Sequence, residues 1–127
     1  MVKRIMIVDD DPGVKFTIKH GLEGSNSDYE IITVNSGKEC LELLDKEPKP
    51  DLILLDIMMP EMSGWETYKK IRENIPSEQL PVVFLTARTD RIAKEAGGFL
   101  AEDYIEKPFK IPELKERIEK ILQKIKT

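Results

Sequence analysis

The stretch MIVDDDPGV sets three aspartates, Asp9, Asp10 and Asp11, directly behind an apolar run. Two like charges about 4 Å apart near a protein surface cost roughly 4 kcal/mol at an effective dielectric of ~20. Such crowding is useful only if something of opposite charge joins it. Three further groups stand in comparable places: Asp56 in LILLDIMMPEMSG, Thr86 in VVFLTAR and Lys107 in DYIEKPF. Clustered carboxylates suit a hard divalent cation with oxygen ligands. Mg2+ fits best, because it is often held by one or two carboxylates together with waters and phosphate oxygens. A hydroxyl and an ammonium beside that ion supply the hydrogen bond and charge compensation that a phosphoryl group requires. A carboxylate facing the metal can act as nucleophile and carry the phosphate as an aspartyl phosphate. Asp56, alone behind its run, is best placed for in-line attack. No GxxxxGK[ST], GxGxxG or Cys/His metal spacing occurs, so a nucleotide or zinc site has no support.

These groups can meet only if the chain brings their positions to one edge. RIMIV (4–8), EIITV (30–34), LILL (52–55), VVFL (82–85) and DYIE (103–106) read as short strands, several of them apolar throughout, as parallel strands covered on both faces are. Helical patterns lie between them. Val14, Ile18 and Leu22 recur every four residues. Ser36 with Glu39, and Ser63 with Glu66, have capping-box spacing. Leu41, Leu43 and Leu44 follow the first box; Tyr68, Ile71 and Ile75 follow the second. A last helix from about Ile111, with Pro112 in its first turn, carries Leu114, Ile118, Ile121 and Ile125 on one stripe, most simply the face packed on the sheet. Repeated strand–helix units imply an open, mostly parallel α/β sheet with helices on both faces. In such sheets ligands sit beyond the carboxyl ends of the strands. Parallel strands point those ends the same way, so Asp9, Asp10, Asp56, Thr86 and Lys107 should converge. One Asp behind one strand is most simply a helix N-cap; agreement of four strand ends favours a site. Asp11 is expected to be that cap, with Pro12 at the first helical position.

At 127 residues, residues 1–127 are expected to form one domain. The net charge of −4, with both signs mixed, gives no footprint for nucleic acid or an anionic membrane surface. The single cysteine, Cys40, excludes an internal disulfide, and no apolar stretch approaches membrane-spanning length. A reducing cytoplasm is the expected location. EGSNSD (23–28) reads as a surface loop.

The set VDDDP, LLDIMMPEMSGWE, FLTA and DYIEKPF, in this order and at about these separations, resembles the receiver domain of two-component response regulators, the CheY-like family, over essentially the whole chain. The resemblance implies a flavodoxin-like (βα)5 three-layer sandwich with a five-stranded parallel sheet in the order 2-1-3-4-5. It also implies that Asp56 is the phosphoacceptor, taking phosphate from a sensor histidine kinase or phosphotransfer protein. Asp10 would bind Mg2+ directly, Asp9 through water, and Met58 would offer its backbone carbonyl. Thr86 would bond a phosphoryl oxygen and Lys107 would pair with it. The Lys107–Pro108 bond would be cis. Tyr104 matches the aromatic that turns inward when Thr86 is drawn to the phosphate, so that the partner-binding face changes by a population shift. Gly64 matches a glycine that family members carry at a helix start. Monomer and phosphorylation-dependent homodimer are both open, as is the downstream protein target. The absence of sequence beyond Thr127 fits a stand-alone receiver or a piece of a longer regulator equally.

The chain departs from the family pattern in RTDRIAKEAGGFLAEDY. Leu100 stands where a glycine belongs, Gly97 and Gly98 come early, and Thr86 to Lys107 is about one residue short. Two adjacent glycines weaken a helix by roughly 1 kcal/mol each, which predicts a short or poorly ordered helix around 93–100. His20 reads as a solvated surface residue, Cys40 as a small buried hydrophobe, and Trp65 as a partly exposed ring near the site. Two other classes compete with the signalling reading. A haloacid-dehalogenase-type phosphatase also uses a strand-end aspartate and Mg2+, but needs a second Asp two residues on, where this chain has Met58. An inert interaction domain would not need Asp9, Asp10, Asp56, Thr86 and Lys107 together.

Overall fold

The computed structural model describes residues 2–25, 28–86 and 103–126. Along them run β1 (Lys3–Val8), α1 (Pro12–Ser25), β2 (Tyr29–Val34), α2 (Gly37–Leu44), β3 (Leu52–Asp56), α3 (Gly64–Asn74), β4 (Val82–Thr86), β5 (Asp103–Glu106) and α4 (Ile111–Lys126). The five strands are all parallel and hydrogen-bonded in the order β2-β1-β3-β4-β5. This is the flavodoxin-like topology expected from the resemblance.

Side chains alternate across a strand, and here both resulting faces are apolar. Ile5, Ile7, Leu52, Leu54, Val83, Leu85 and Ile105 pack on one side against Ile18 and Leu22 of α1 and Leu114, Ile118, Ile121 and Leu122 of α4. Met6, Val8, Ile53, Leu55, Val82 and Phe84 pack on the other against Cys40 and Leu44 of α2 and Tyr68 and Ile71 of α3. Burial on both faces explains why β1, β3 and β4 read as continuous apolar runs. Leu114, Ile118 and Ile121 of the α4 stripe pack into the core, as expected.

Two helix starts follow their capping signatures. Ser63 caps α3 with both arms of the box: its side chain accepts from the Glu66 amide, and the Glu66 carboxylate accepts from the Ser63 amide. At α2, Ser36 Oγ accepts from the Glu39 amide at 3.2 Å, but the returning arm differs. The Glu39 carboxylate accepts from the Asn35 amide at 3.3 Å, one residue earlier than the box predicts.

Three boundaries shift. Asp56 and Thr86 are the last residues of β3 and β4 rather than the first beyond them, because ladder pairing reaches Leu85 opposite Asp56 and Glu106 opposite Thr86. The expected loop at 23–28 is partly helix, since α1 continues through Ser25. The helix expected around 93–100, with Gly97, Gly98 and Leu100, lies outside the described residues.

Candidate functional site

Register decides where the acidic residues meet. Val8 pairs with Leu55 across β1 and β3, so Asp9 and Asp56 stand level at the carboxyl edge of neighbouring strands. Glu106 pairs with Thr86, so Lys107 begins the segment that leaves the same edge. The carboxylates of Asp9, Asp10 and Asp56 each offer an oxygen, and these oxygens lie within 4.8 Å of one another. Lys107 Nζ donates to Asp9 Oδ2 at 3.0 Å and to Asp56 Oδ1 at 3.4 Å. Asp9 is fully buried, Asp56 is 6% exposed, and Asp10 is exposed.

The turn after β1 is built by its own aspartates. The Asp9 amide donates to the Val34 carbonyl, and Asp9 Oδ1 accepts from the Asp11 amide at 2.9 Å. Asp11 Oδ1 accepts from the Gly13 amide at 2.8 Å, which makes Asp11 the cap of α1 with Pro12 first in the helix. The three adjacent aspartates therefore divide: Asp11 caps, Asp9 is buried against Lys107, and Asp10 faces outward beside them.

Gly64 sets the other wall. Its amide donates to the Ile57 carbonyl at 2.8 Å. A Cβ there would lie 2.3 Å from the Asp56 carbonyl oxygen and 2.8 Å from Ile57 Cα, so only glycine lets α3 start against the end of β3. The connecting loop holds Glu61 at φ 68, a left-handed conformation that a side chain disfavours. Trp65, next to Gly64, is half-buried with its ring 4.6 Å from that of Phe84.

Electrostatics follow from this geometry. The Asp56 carboxyl is pushed up from 3.8 to about 6, first by burial, then by the Asp9 and Asp10 charges, against the lowering pull of Lys107. Burial works to lower the Lys107 ammonium, but Asp56 and Asp9 outweigh it and its pKa rises. The cluster thus stays overcharged, with three carboxylates around one ammonium. Such a donor set, all oxygen and excess negative charge, fits a hard divalent cation.

Asp9, Asp10, Asp56 and Lys107 are brought together as expected. Thr86 ends β4 at the same edge, through its backbone pairing with Glu106. Tyr104 lies on β5 opposite Phe84, half-buried against the cluster of Val82 and Phe84, and its carbonyl accepts from Arg117 at 3.2 Å. Met58 stands just beyond β3 with 65% of its surface exposed. The Lys107–Pro108 bond is cis, and so is Glu47–Pro48, which the sequence did not signal. His20 is exposed, as expected, and stacks on Phe16 at 5.3 Å. Cys40 is fully buried and its thiol is pushed up to about 12 by burial. Sequence reasoning missed Lys15, which is 7% exposed and donates from Nζ to Asn35 Oδ1. The only signal was its place four residues after the cap Asp11, and lysine at a helix start is ordinarily solvated.

Residues 5–119 match the response regulator receiver domain, and the chain belongs to that family. Among curated relatives it is 43% identical over 120 residues to a probable cyclic di-GMP phosphodiesterase of Vibrio cholerae serotype O1, covering 94% of this chain and 26% of that protein. It is 37% identical over 125 residues to the alkaline phosphatase synthesis transcriptional regulatory protein PhoP of Bacillus subtilis, covering 98% of this chain and 50% of that one. The chain thus spans a quarter to a half of the length of these relatives. Among solved structures it is similar to a CheY-like response regulator receiver domain protein from Methanospirillum hungatei, with a TM-score of 0.84 at 35% identity over 98% of this chain and 97% of that one. Among the described residues no helix is long and apolar enough to cross a membrane.

Proposed function

We propose that the chain is a phosphorylation-controlled switch in which Asp56 accepts a phosphoryl group from a phosphohistidine on a sensor histidine kinase or phosphotransfer protein. The reading rests above all on one observation. Asp9, Asp10 and Asp56 present oxygens within 4.8 Å of one another while the Lys107 ammonium reaches two of these carboxylates.

In the transfer, an Asp56 carboxylate oxygen forms a bond to phosphorus as the bond from phosphorus to the imidazole nitrogen breaks, and the imidazole, already protonated at its other ring nitrogen, leaves as the neutral ring. A carboxyl with a pKa of about 6 is mostly ionised at neutral pH, so the nucleophile is available there. Lys107 is held where its ammonium can neutralise equatorial oxygen charge. Mg2+, when bound, would supply further charge neutralisation at the same oxygens. Asp10 is assigned to the metal directly, Asp9 through water, Asp56 as the third carboxylate, and Met58 through its backbone carbonyl. Thr86 is assigned to a phosphoryl oxygen and Tyr104 to the readout of the switch.

The chain is proposed to act on its own Asp56 alone, including slow loss of the phosphate, rather than on an external substrate. The position where a haloacid-dehalogenase-type phosphatase would need its second acid holds the exposed thioether of Met58, which cannot deliver a proton. We place the domain in the cytoplasm, working through protein contacts. Incubation with Mg2+ and a small acyl-phosphate donor should give a phosphate-sized mass gain, lost with EDTA and lost in Asp56→Asn. An adduct that survives the substitution would overturn the assignment.

A further inference from the structure

Lys15, close to the site, is a buried cation that stability alone does not explain. A lysine buried to 7% exposure normally has a carboxylate partner, because an unpaired ammonium out of water is costly. Among the described residues Lys15 Nζ meets no carboxylate and instead donates to the neutral amide oxygen of Asn35. A leucine or methionine of similar length would fill the same space without the charge.

The bond gains meaning from what it closes. The Lys15 amide donates to the Asp11 carbonyl at 3.2 Å, and the Asp11 amide donates to Asp9 Oδ1 at 2.9 Å. The Asp9 amide donates to the Val34 carbonyl at 3.3 Å, and Asn35 follows Val34. The Lys15–Asn35 bond therefore completes a ring that runs from the end of β1, through the turn of Asp9, Asp10 and Asp11 into α1, across to Asn35 and back along β2. Asn35 is held in turn, since its amide donates to the Glu39 carboxylate of α2 at 3.3 Å. Asp10 is the member of the acidic set that is exposed and lies inside this ring.

We infer that Lys15 is a positioning residue for the divalent-cation site: its clasp on Asn35 fixes the turn that presents the Asp10 carboxylate to Asp9 and Asp56. This rests on the proposed function above. Outer-shell partners of metal ligands commonly contribute about 10-fold to 100-fold in affinity. Charge alone makes the opposite prediction. A cation beside the site competes with Mg2+, so if Lys15 acted only through its field, its removal would tighten binding.

The test titrates Mg2+ into the full chain, read by calorimetry and by Trp65 emission, for wild type, K15M, K15R, N35A and the double variant K15M/N35A. Circular dichroism and urea midpoints accompany each. The clasp predicts that K15M and N35A each weaken Mg2+ binding roughly tenfold, that the double variant is no weaker than either alone, and that K15R restores most of the affinity. N35A keeps the ammonium, so it reports on the clasp even if K15M folds poorly. Unchanged or tighter Mg2+ binding in K15M or N35A, or losses that add in the double variant, would overturn the inference and leave the function standing. A wild type that binds no Mg2+ would overturn both.

Discussion

Replacing Asp56 by asparagine should make the metal-free protein more stable. Asp56 is 6% exposed, and its carboxyl gives up its proton at about 6 instead of 3.8 because burial and the Asp9 charge outweigh Lys107. Each pH unit of that displacement is worth ~1.4 kcal/mol, so the ionised group costs the native state about 3 kcal/mol at neutral pH. Asparagine has nearly the shape of the protonated acid and no charge. In EDTA at about pH 8, D56N should therefore gain about 2–3 kcal/mol, or roughly 5–10 °C in Tm for a domain of this size. The sign with pH is fixed. A carboxyl whose folded pKa lies above its unfolded value binds its proton more tightly when folded, so the Asp56 contribution to wild-type stability is lost as pH rises from about 4 to about 6. The advantage of D56N should be absent below about pH 4, grow through that window and level off above it. Thermal denaturation across the range measures it. An advantage independent of pH, or a D56N protein less stable than wild type at pH 8, would refute the electrostatic reasoning.

Three further outcomes are expected. K107M leaves the fully buried Asp9 carboxylate without its partner and should cost about 2–4 kcal/mol in EDTA; urea denaturation should show millimolar Mg2+ recovering part of the loss in K107M. G64A drives a Cβ into the Asp56 carbonyl and Ile57 Cα, neither of which can yield, so a loss of about 3 kcal/mol or more is expected together with weaker Mg2+ binding in a titration. Cys40, buried and pushed up to about 12, should resist a disulfide reagent at about pH 8 until denaturant is added; rapid labelling of the native protein would contradict its place in the core.

What could be read in the chain alone was whatever parallel register enforces. Once five short runs are taken as parallel strands, Asp9, Asp56, Thr86 and Lys107 have no choice of edge; strand pairing sets Asp9 level with Asp56, with Thr86 one residue and Lys107 two residues further along that edge. Both capping signatures marked true helix starts, since a Ser side chain three residues before a Glu satisfies amides that would otherwise be orphaned. The illegible parts depend on close approach between elements distant in sequence. A Cβ on Gly37 would lie 2.1 Å from Thr67 Oγ1, a contact between α2 and α3 that no local pattern encodes. The burial of Lys15 within the first turn of α1 and the left-handed Glu61 are of the same kind, because residue type argued for the opposite in each. The helical extension to Ser25 runs through Gly24, whose type also suggested a loop.

The proposed phosphoacceptor, Asp56, can be located directly. After reaction with an acyl-phosphate donor and Mg2+, borohydride converts an acyl phosphate to a homoserine, which peptide mass spectrometry locates. Conversion is expected at residue 56 alone, dependent on Mg2+ and sharply reduced in D10A. Conversion at Asp9 or Asp10, or none at any aspartate under conditions where the protein is folded and binds Mg2+, would contradict it.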